Sequence, residues 1–396
     1  MADFNEKPFE SELCAYLAAH GWLYSPTDHE PDAVYDRDRA IIPADVFGWL
    51  EDTQPAEFAR AVKAGTPQEA ASRTALLDRL CKVLETPTDQ GGGTLNVLRR
   101  GFKHVSSSLR MCQFQPATTL NDTTLADYAK VRVRVMRQVH FSTKDNRSID
   151  LVLFVNGLPV ATLELKTDFT QSVAEAIEQY KKDRHPKDPG GHVQPLLGFG
   201  NRALVHFAVS NEEVWMTTRL AGATTYFLPF NAGDGHGGKG NAPNPHGSAT
   251  SYLWEQVFDR DNWLMIMGKF CHVETRQSRD PISGAVSKST TLLFPRYHQW
   301  QAVTQMVAHA RAHGPGHKYL IEHSAGSGKT NSIAWTAHRL ARLFDEKNQK
   351  VFDTVIVVTD RTVLDDQLQV AVRQIDSTDT GAASGEGIIT TVDEVE

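Results

Sequence analysis

Cysteine is scarce in this chain of 396 residues: only Cys14, Cys81, Cys112 and Cys271 occur, and no CxxC pair is present. That excludes a disulfide scaffold, argues against a zinc site, and points to reduced thiols in the cytoplasm. No stretch approaches the roughly 18 apolar residues of a membrane span. The amino terminus, Met1 to Glu6, is polar and acidic, so a secretion signal is excluded too. A basic excess is also missing: 41 Lys+Arg stand against 48 Asp+Glu, a net charge of −7. Any nucleic acid must then be held by a local basic surface. What is present is an ordinary globular mixture, 40% hydrophobic and 22% charged, which rules out wholesale disorder. At roughly 150 residues per domain, two to three domains are expected.

Phe9, Leu13, Tyr16 and Leu17 before Gly21 predict an amphipathic opening helix, and Pro67 to Thr86 a second one, broken by Gly91-Gly92-Gly93. Val131, Val133 and Val135 alternate with Lys130, Arg132 and Arg134, the period of a strand. Such a basic face suits duplex phosphates, but a charged edge strand that resists aggregation is the preferred reading. Ile149 to Val155, a turn at Asn156-Gly157 and Val160 to Lys166 form a hairpin, followed by a helix from Ser172 to Lys182 and a strand from Ala203 to Val209. Asn231 to Ser248 is rich in glycine and proline and is expected to be a mobile connector. An apolar helical stretch covers Tyr252 to Phe270. From Phe294 onward, helix, strand (Tyr319 to Ile321), glycine-rich loop, helix (Asn331 to Phe344) and strand (Thr354 to Val358) alternate, the pattern of a parallel sheet.

In the hairpin, a two-residue turn continued in simple register would pair Asp150 with Leu163 and set Glu164 on the opposite face. A three-residue loop, Val155 to Gly157 with Gly157 left-handed, pairs Phe154 with Leu158 and Asp150 with Thr162. Asp150, Glu164 and Lys166 then share a face, while Leu151, Leu153, Ala161, Leu163 and Leu165 form a core surface. The bulged register is the expectation. Two carboxylates without sulfur or imidazole suit a hard cation such as Mg²⁺, and a neighbouring lysine suits an attacking water or the charge developing on a phosphate.

These residues resemble the PD-(D/E)xK nuclease motif. The text from Ile149 through Glu164-Leu165-Lys166 to Glu178-Gln179-Tyr180 resembles the R subunit of type I restriction enzymes over most of the chain. The resemblance implies that Asp150 and Glu164 hold Mg²⁺ with Lys166 as the catalytic lysine. It also implies that an opening-helix glutamate assists, Glu10 or the competing Glu12, and that Gln179 belongs to the site. Where the family's Gln-x-x-x-Tyr places its tyrosine this chain has Asp183, which leaves Tyr180 open as a substitute and Gln179 open as a solvent-facing helix position.

His323-Ser324-Ala325-Gly326-Ser327-Gly328-Lys329-Thr330 lies between an apolar segment and a helix, the setting of a P-loop. Backbone N–H groups of Gly326, Ser327 and Gly328 would surround phosphates, Lys329 would reach the β/γ-phosphates, and Thr330 would hold Mg²⁺. His323 replaces the usual first glycine, as is tolerated in the superfamily 2 helicases that the segment resembles. Phe294 to Gln299 is similar to their adenine-reading segment, with Gln299 selecting ATP and Gln301 as competitor, or with a plain helix start. Val355 to Arg361 resembles their next motif, with Arg361 as a DNA phosphate contact or as a partner of Asp360 or Asp365. Asp393-Glu394 is assigned no Walker B role. The chain reaches only Glu396, short of the roughly 150 residues of a RecA-like lobe, so an incomplete motor without ATP hydrolysis of its own is expected. His309 and His313 are expected to be surface histidines, since the glutamate of a zinc-binding His-Glu-x-x-His is missing.

The expected fold is α/β: a restriction-endonuclease-like mixed-sheet domain over 1–230, a connector over 231–290 and a partial RecA-like P-loop lobe over 291–396. The expected function is that of a type I restriction subunit, cleaving double-stranded DNA with Mg²⁺ and translocating it with ATP, beside methylase and specificity subunits and away from any membrane. The rivals are a stand-alone repair or resolvase nuclease, which would ignore ATP, and a non-cleaving ATP-responsive DNA-binding subunit.

Overall fold

The computed structural model describes residues 3–28, 34–167, 172–279 and 286–359, with 369 and 371. The chain opens with helices α1 (Asp3–Ala19), α2 (Pro43–Thr53), α3 (Pro55–Val62), α4 (Glu69–Leu84) and α5 (Thr94–Arg100). α2 and α3 each begin on a proline, whose missing N–H costs nothing in a first turn. A short hairpin, β1 (Phe102–His104) and β2 (Ser107–Leu109), leads to α6 (Asp122–Ala129), capped by the Asn121 side chain.

The central sheet comprises β3 (Val133–His140), β4 (Ser148–Val155), β5 (Leu158–Leu165), β6 (Val205–Val209), β7 (Val214–Thr217) and β8 (Leu228–Pro229), hydrogen-bonded in that order. All neighbours are antiparallel except β5 and β6, which are parallel because α7 (Val173–Asp183) carries the chain across between them. This is a mixed α/β architecture. One apolar cluster includes Leu151, Leu153, Leu163 and Leu165, and a second includes Val152, Phe154, Ala176 and Tyr180 under α7. Alternation along β4 therefore feeds two cores.

The β4–β5 hairpin corrects the expected register. Asn156 (φ 47°) and Gly157 (φ 82°) form a two-residue turn with both positive φ values, and Val155 pairs directly with Leu158. The irregularity lies further along: Phe154 pairs with Pro159 but Leu153 with Ala161, so Val160 is the extra residue. Proline has no N–H for the ladder, and a bulge beside it is where such a residue is tolerated. Beyond the bulge Val152 faces Thr162 and Leu151 faces Leu163. One residue further on, Asp150 lies across from Glu164 rather than Thr162. The two acids share a face as expected, by a different route.

Arg134 pairs with Asp28 at 2.8 Å and with Asp45 at 2.7 Å, Arg132 pairs with Asp52 at 2.6 Å, and Lys130 Nζ donates to the Asp52 carbonyl. The basic stripe thus ties the start of edge strand β3 to α2 and to the turn at Asp28. The glycine-rich segment is not a free connector: Asn241 accepts from the Ala232 N–H and donates to the Glu212 carbonyl, and Gly233 N–H donates to Gly240. The apolar cluster on the Leu151 face runs on through Phe230, Tyr252 and Trp335.

The expected helix over Tyr252 to Phe270 is broken into a π turn (Leu253–Val257), α8 (Arg260–Met265) and a second π turn (Ile266–Phe270). The hairpin of β9 (His272–Arg279) and β10 (Val286–Leu293) follows, then α9 (Tyr297–His313) and α10 (Lys329–Ala341). The strands expected at Tyr319 to Ile321 and Thr354 to Val358 do not form among the described residues. Leu320 is 92% and Val358 86% exposed. A parallel strand needs hydrogen-bonded neighbours, and among the described residues neither segment has one.

Thr162 on β5 places its hydroxyl 2.8 Å from Tyr180 Oη and 2.7 Å from His206 Nδ1, all three residues being buried. Burial pulls the His206 imidazolium down to about 3. The unfolded chain takes up this proton near pH 6.5 while the folded chain refuses it, so stability is lost as pH falls below 6.5, by up to about 1.4 kcal/mol per pH unit. His206→Asn should therefore flatten the acid limb of unfolding free energy against pH by about one proton. An unchanged slope in denaturant titrations would contradict this.

Candidate active site

Asp150 sits on β4 and is half-buried; Glu164 on β5 is fully buried and Lys166, just beyond it, is nearly so. Asp150 Oδ2 accepts the Leu165 N–H at 2.7 Å, which pins the carboxylate to the end of β5. The Lys166 N–H donates to the Val209 carbonyl at 2.9 Å, fastening the same end to β6. Glu164 Oε1 accepts from Arg184 Nε at 2.6 Å, whereas Oε2 is buried and has no hydrogen-bond partner among the described residues. Burial, with the Asp150 charge adding to it, raises the Glu164 carboxyl to about 8, against the opposing pull of Arg184 and Lys166. A buried acid with one bare oxygen beside a second acid is short of positive charge. The donors are hard oxygens, so the residues present fit a divalent cation of the Mg²⁺ class.

Glu10 is buried, whereas Glu12 is exposed. Glu10 Oε2 accepts from Gln138 Nε2 at 2.7 Å, and the same amide makes a longer 3.4 Å contact with Asp150 Oδ1. Glu10 is thus one amide removed from Asp150 and also lies 3.6 Å from Arg137. Among the described residues no three His, Cys, Asp or Glu side chains are grouped to hold a metal ion on their own. Gln138 stands in the left-handed region (φ 50°), a conformation non-glycine residues adopt at a cost and often at functional sites. Gln179 is half-buried on α7 and forms no hydrogen bond with Asp150, Glu164 or Lys166 among the described residues. Its neighbour Tyr180 faces the sheet through Thr162.

Sequence reasoning missed Arg184 and Gln138. Arg184 lies one residue past the end of α7, where only long-range packing decides which acid it meets. No local pattern marks Gln138.

At the second site, Gly326 (φ 74°) and Gly328 (φ 82°) bend the loop into the first turn of α10, and Lys329 Nζ donates to the His323 carbonyl at 2.9 Å. Ser327 Oγ is buried with no partner among the described residues, and Thr330 is half-buried on the first turn of α10. Gln299 is buried and doubly engaged: Oε1 accepts the Arg296 N–H at 2.9 Å, and Nε2 donates to the Ser327 and Gly328 carbonyls at 3.2 and 2.9 Å. Gln299 therefore joins the start of α9 to the glycine-rich loop, and a Cβ at Gly328 would run into its amide. Among the described residues Gln301 reaches Tyr297 Oη, at 3.3 Å. Arg361, with Asp360 and Asp365, and Asp393-Glu394 lie outside the described residues. His309 and His313 stack on the exposed end of α9, with His309 Nδ1 engaged by Tyr319 Oη.

Residues 3–225, more than half of the chain, match the family described as the type I restriction enzyme R protein N terminus. The chain belongs to that family. Residues 298–395 match the SWI2/SNF2 ATPase family, so an ATPase-like segment follows the R-protein amino-terminal region. Among curated relatives, the putative type I restriction enzyme MjaVIIIP endonuclease subunit of Methanocaldococcus jannaschii is 23% identical over 257 residues, 62% of this chain and 22% of the relative. The type I restriction enzyme HindI endonuclease subunit of Haemophilus influenzae is 26% identical over 226 residues, 55% of this chain and 19% of the relative. The chain spans about a fifth of the length of these relatives. Among the described residues no helix is long and apolar enough to cross a membrane.

The Glu164 environment gives a prediction for the R-protein region without divalent cation. Its folded carboxyl holds a proton up to about pH 8, while the unfolded one releases it near 4.5. The fold's advantage is thus intact below 4.5 and declines as pH rises towards 8. Glu164→Gln, neutral throughout, should gain stability relative to the parent chain between about pH 5 and 8. A difference in unfolding midpoint that does not change with pH would contradict the assignment.

Proposed function

We propose that this chain provides the nuclease centre and the first nucleotide-binding elements of a type I restriction enzyme, cleaving double-stranded DNA with Mg²⁺ and coupling cleavage to ATP-driven translocation. The observation that carries the reading is the meeting of Asp150 and Glu164 across β4 and β5, with Glu164 Oε2 buried and bare. In this reading residues 1–230 are a restriction-endonuclease-like domain, 231–290 a connector and 291–396 part of a RecA-like lobe. The protein works in the cytoplasm with methylase and specificity subunits.

Asp150 and Glu164 would hold the divalent ion, with Glu10 acting through Gln138. When bound, that ion supplies a lowered water pKa and charge neutralisation at phosphate. Lys166 orients the attacking water and offsets charge growing on the scissile phosphate. Burial of Glu164 keeps the reacting face dry on the strand side, where each electrostatic contact is stronger. Gly326, Ser327, Gly328, Lys329 and Thr330 would take ATP phosphates with Mg²⁺, and Gln299 would turn its amide from the loop carbonyls to the adenine edge. Gln179 and Arg361 would contribute at the nuclease site and the DNA backbone, respectively.

The test is cleavage of circular duplex DNA by the complex assembled with its methylase and specificity subunits, Mg²⁺ and ATP. Asp150→Ala and Lys166→Ala should each lower cleavage by at least roughly 100-fold while assembly persists. Cutting at the parent rate by either variant would refute the assignment.

A further inference from the structure

Arg184 is 5% exposed, and its guanidinium is held from three sides. Nε donates to Glu164 Oε1 at 2.6 Å, Nη2 donates to the Ser148 carbonyl at 2.8 Å, and Cζ lies over the Phe141 ring, 5.2 Å from its centre. Ser148 begins β4, two residues before Asp150, so a single side chain braces the strand of one acid and the carboxylate of the other. The pairing uses the Nε edge on one oxygen rather than the two-pronged fork that occupies both oxygens of a carboxylate. Oε1 is spoken for and Oε2 is not.

We propose that Arg184 is the positioning residue of this centre: by engaging Oε1 it fixes the Glu164 rotamer and leaves Oε2 as the one oxygen offered to a divalent cation. The inference rests on the proposed function, since it assumes that Asp150 and Glu164 hold the ion. Its physical content is geometric. Lysine at position 184 keeps the positive charge, but its single ammonium lacks the planar arrangement that reaches Glu164 and the Ser148 carbonyl together while stacking on Phe141. Because Arg184 follows the last residue of α7, the seating of that helix on the sheet decides whether Oε2 is presented.

The experiment titrates Mn²⁺ into the chain by calorimetry, with Arg184→Lys and Asp150→Asn compared against the parent, and each variant's unfolding midpoint recorded. The parent should bind Mn²⁺, Asp150→Asn should lose most of that binding, and Arg184→Lys should bind at least tenfold more weakly. Equal affinity in Arg184→Lys and the parent overturns the inference while leaving the proposed function standing. No Mn²⁺ bound by the parent overturns the proposed function itself, and the inference with it. Should Arg184→Lys fail to fold, the infrared difference spectrum of the parent chain on adding Mn²⁺ decides: carboxylate stretches of one-oxygen coordination support the inference, and those of two-oxygen coordination at Glu164 overturn it.

Discussion

A one-residue slip in the pairing of β4 with β5 governs the candidate active site. Val155 pairs with Leu158 at the turn, and that register carried straight through would bring Asp150 opposite Leu163. Glu164 would then point to the face of Leu151 and Leu153, into their apolar cluster, and Leu163 would leave it. A lone carboxylate there would be very costly. The extra residue at Val160 returns the alternation to phase, so the leucines keep their core and both acids face α7. The slip occurs beside Pro159, which has no N–H to maintain the ladder. The buried turn is fixed independently, by Asn156 accepting the Arg132 N–H and donating to the Met111 carbonyl.

Around the acids, charge is arranged to be nearly balanced but not saturated. Arg184 and Lys166 oppose Asp150 and Glu164, yet Glu164 stays protonated to about pH 8 because burial outweighs those partners. Such a centre tolerates the folded state without an ion and still has an oxygen to give one. At the second site the same economy holds: Gln299 and Lys329 satisfy loop carbonyls that would otherwise be bare around the phosphate loop.

Much of this was legible in the sequence wherever alternation or glycine chemistry is local. The β4–β5 hairpin, β6 and the loop before α10 follow from period-two runs, from Asn156-Gly157 and from Gly326 and Gly328. The register was misplaced because the turn glycine drew the bulge to itself, when the proline three positions after Asn156 carried the decisive information. Arg184 and Gln138 were invisible because their partners lie 20 and 128 residues away in sequence. The segments Tyr319 to Ile321 and Thr354 to Val358 read as strands from composition, but a strand is a pairing, and no described residue pairs with them. The glycine-rich stretch read as a loose connector because asparagine bonds such as those of Asn241 leave no periodic trace.

The most direct measurement of the central claim is anomalous X-ray scattering from crystals of this chain grown with Mn²⁺. The account predicts a single strong peak between Asp150 and Glu164, in contact with both carboxylates. A peak elsewhere, or one touching only Asp150 while Glu164 stays turned away, would contradict it.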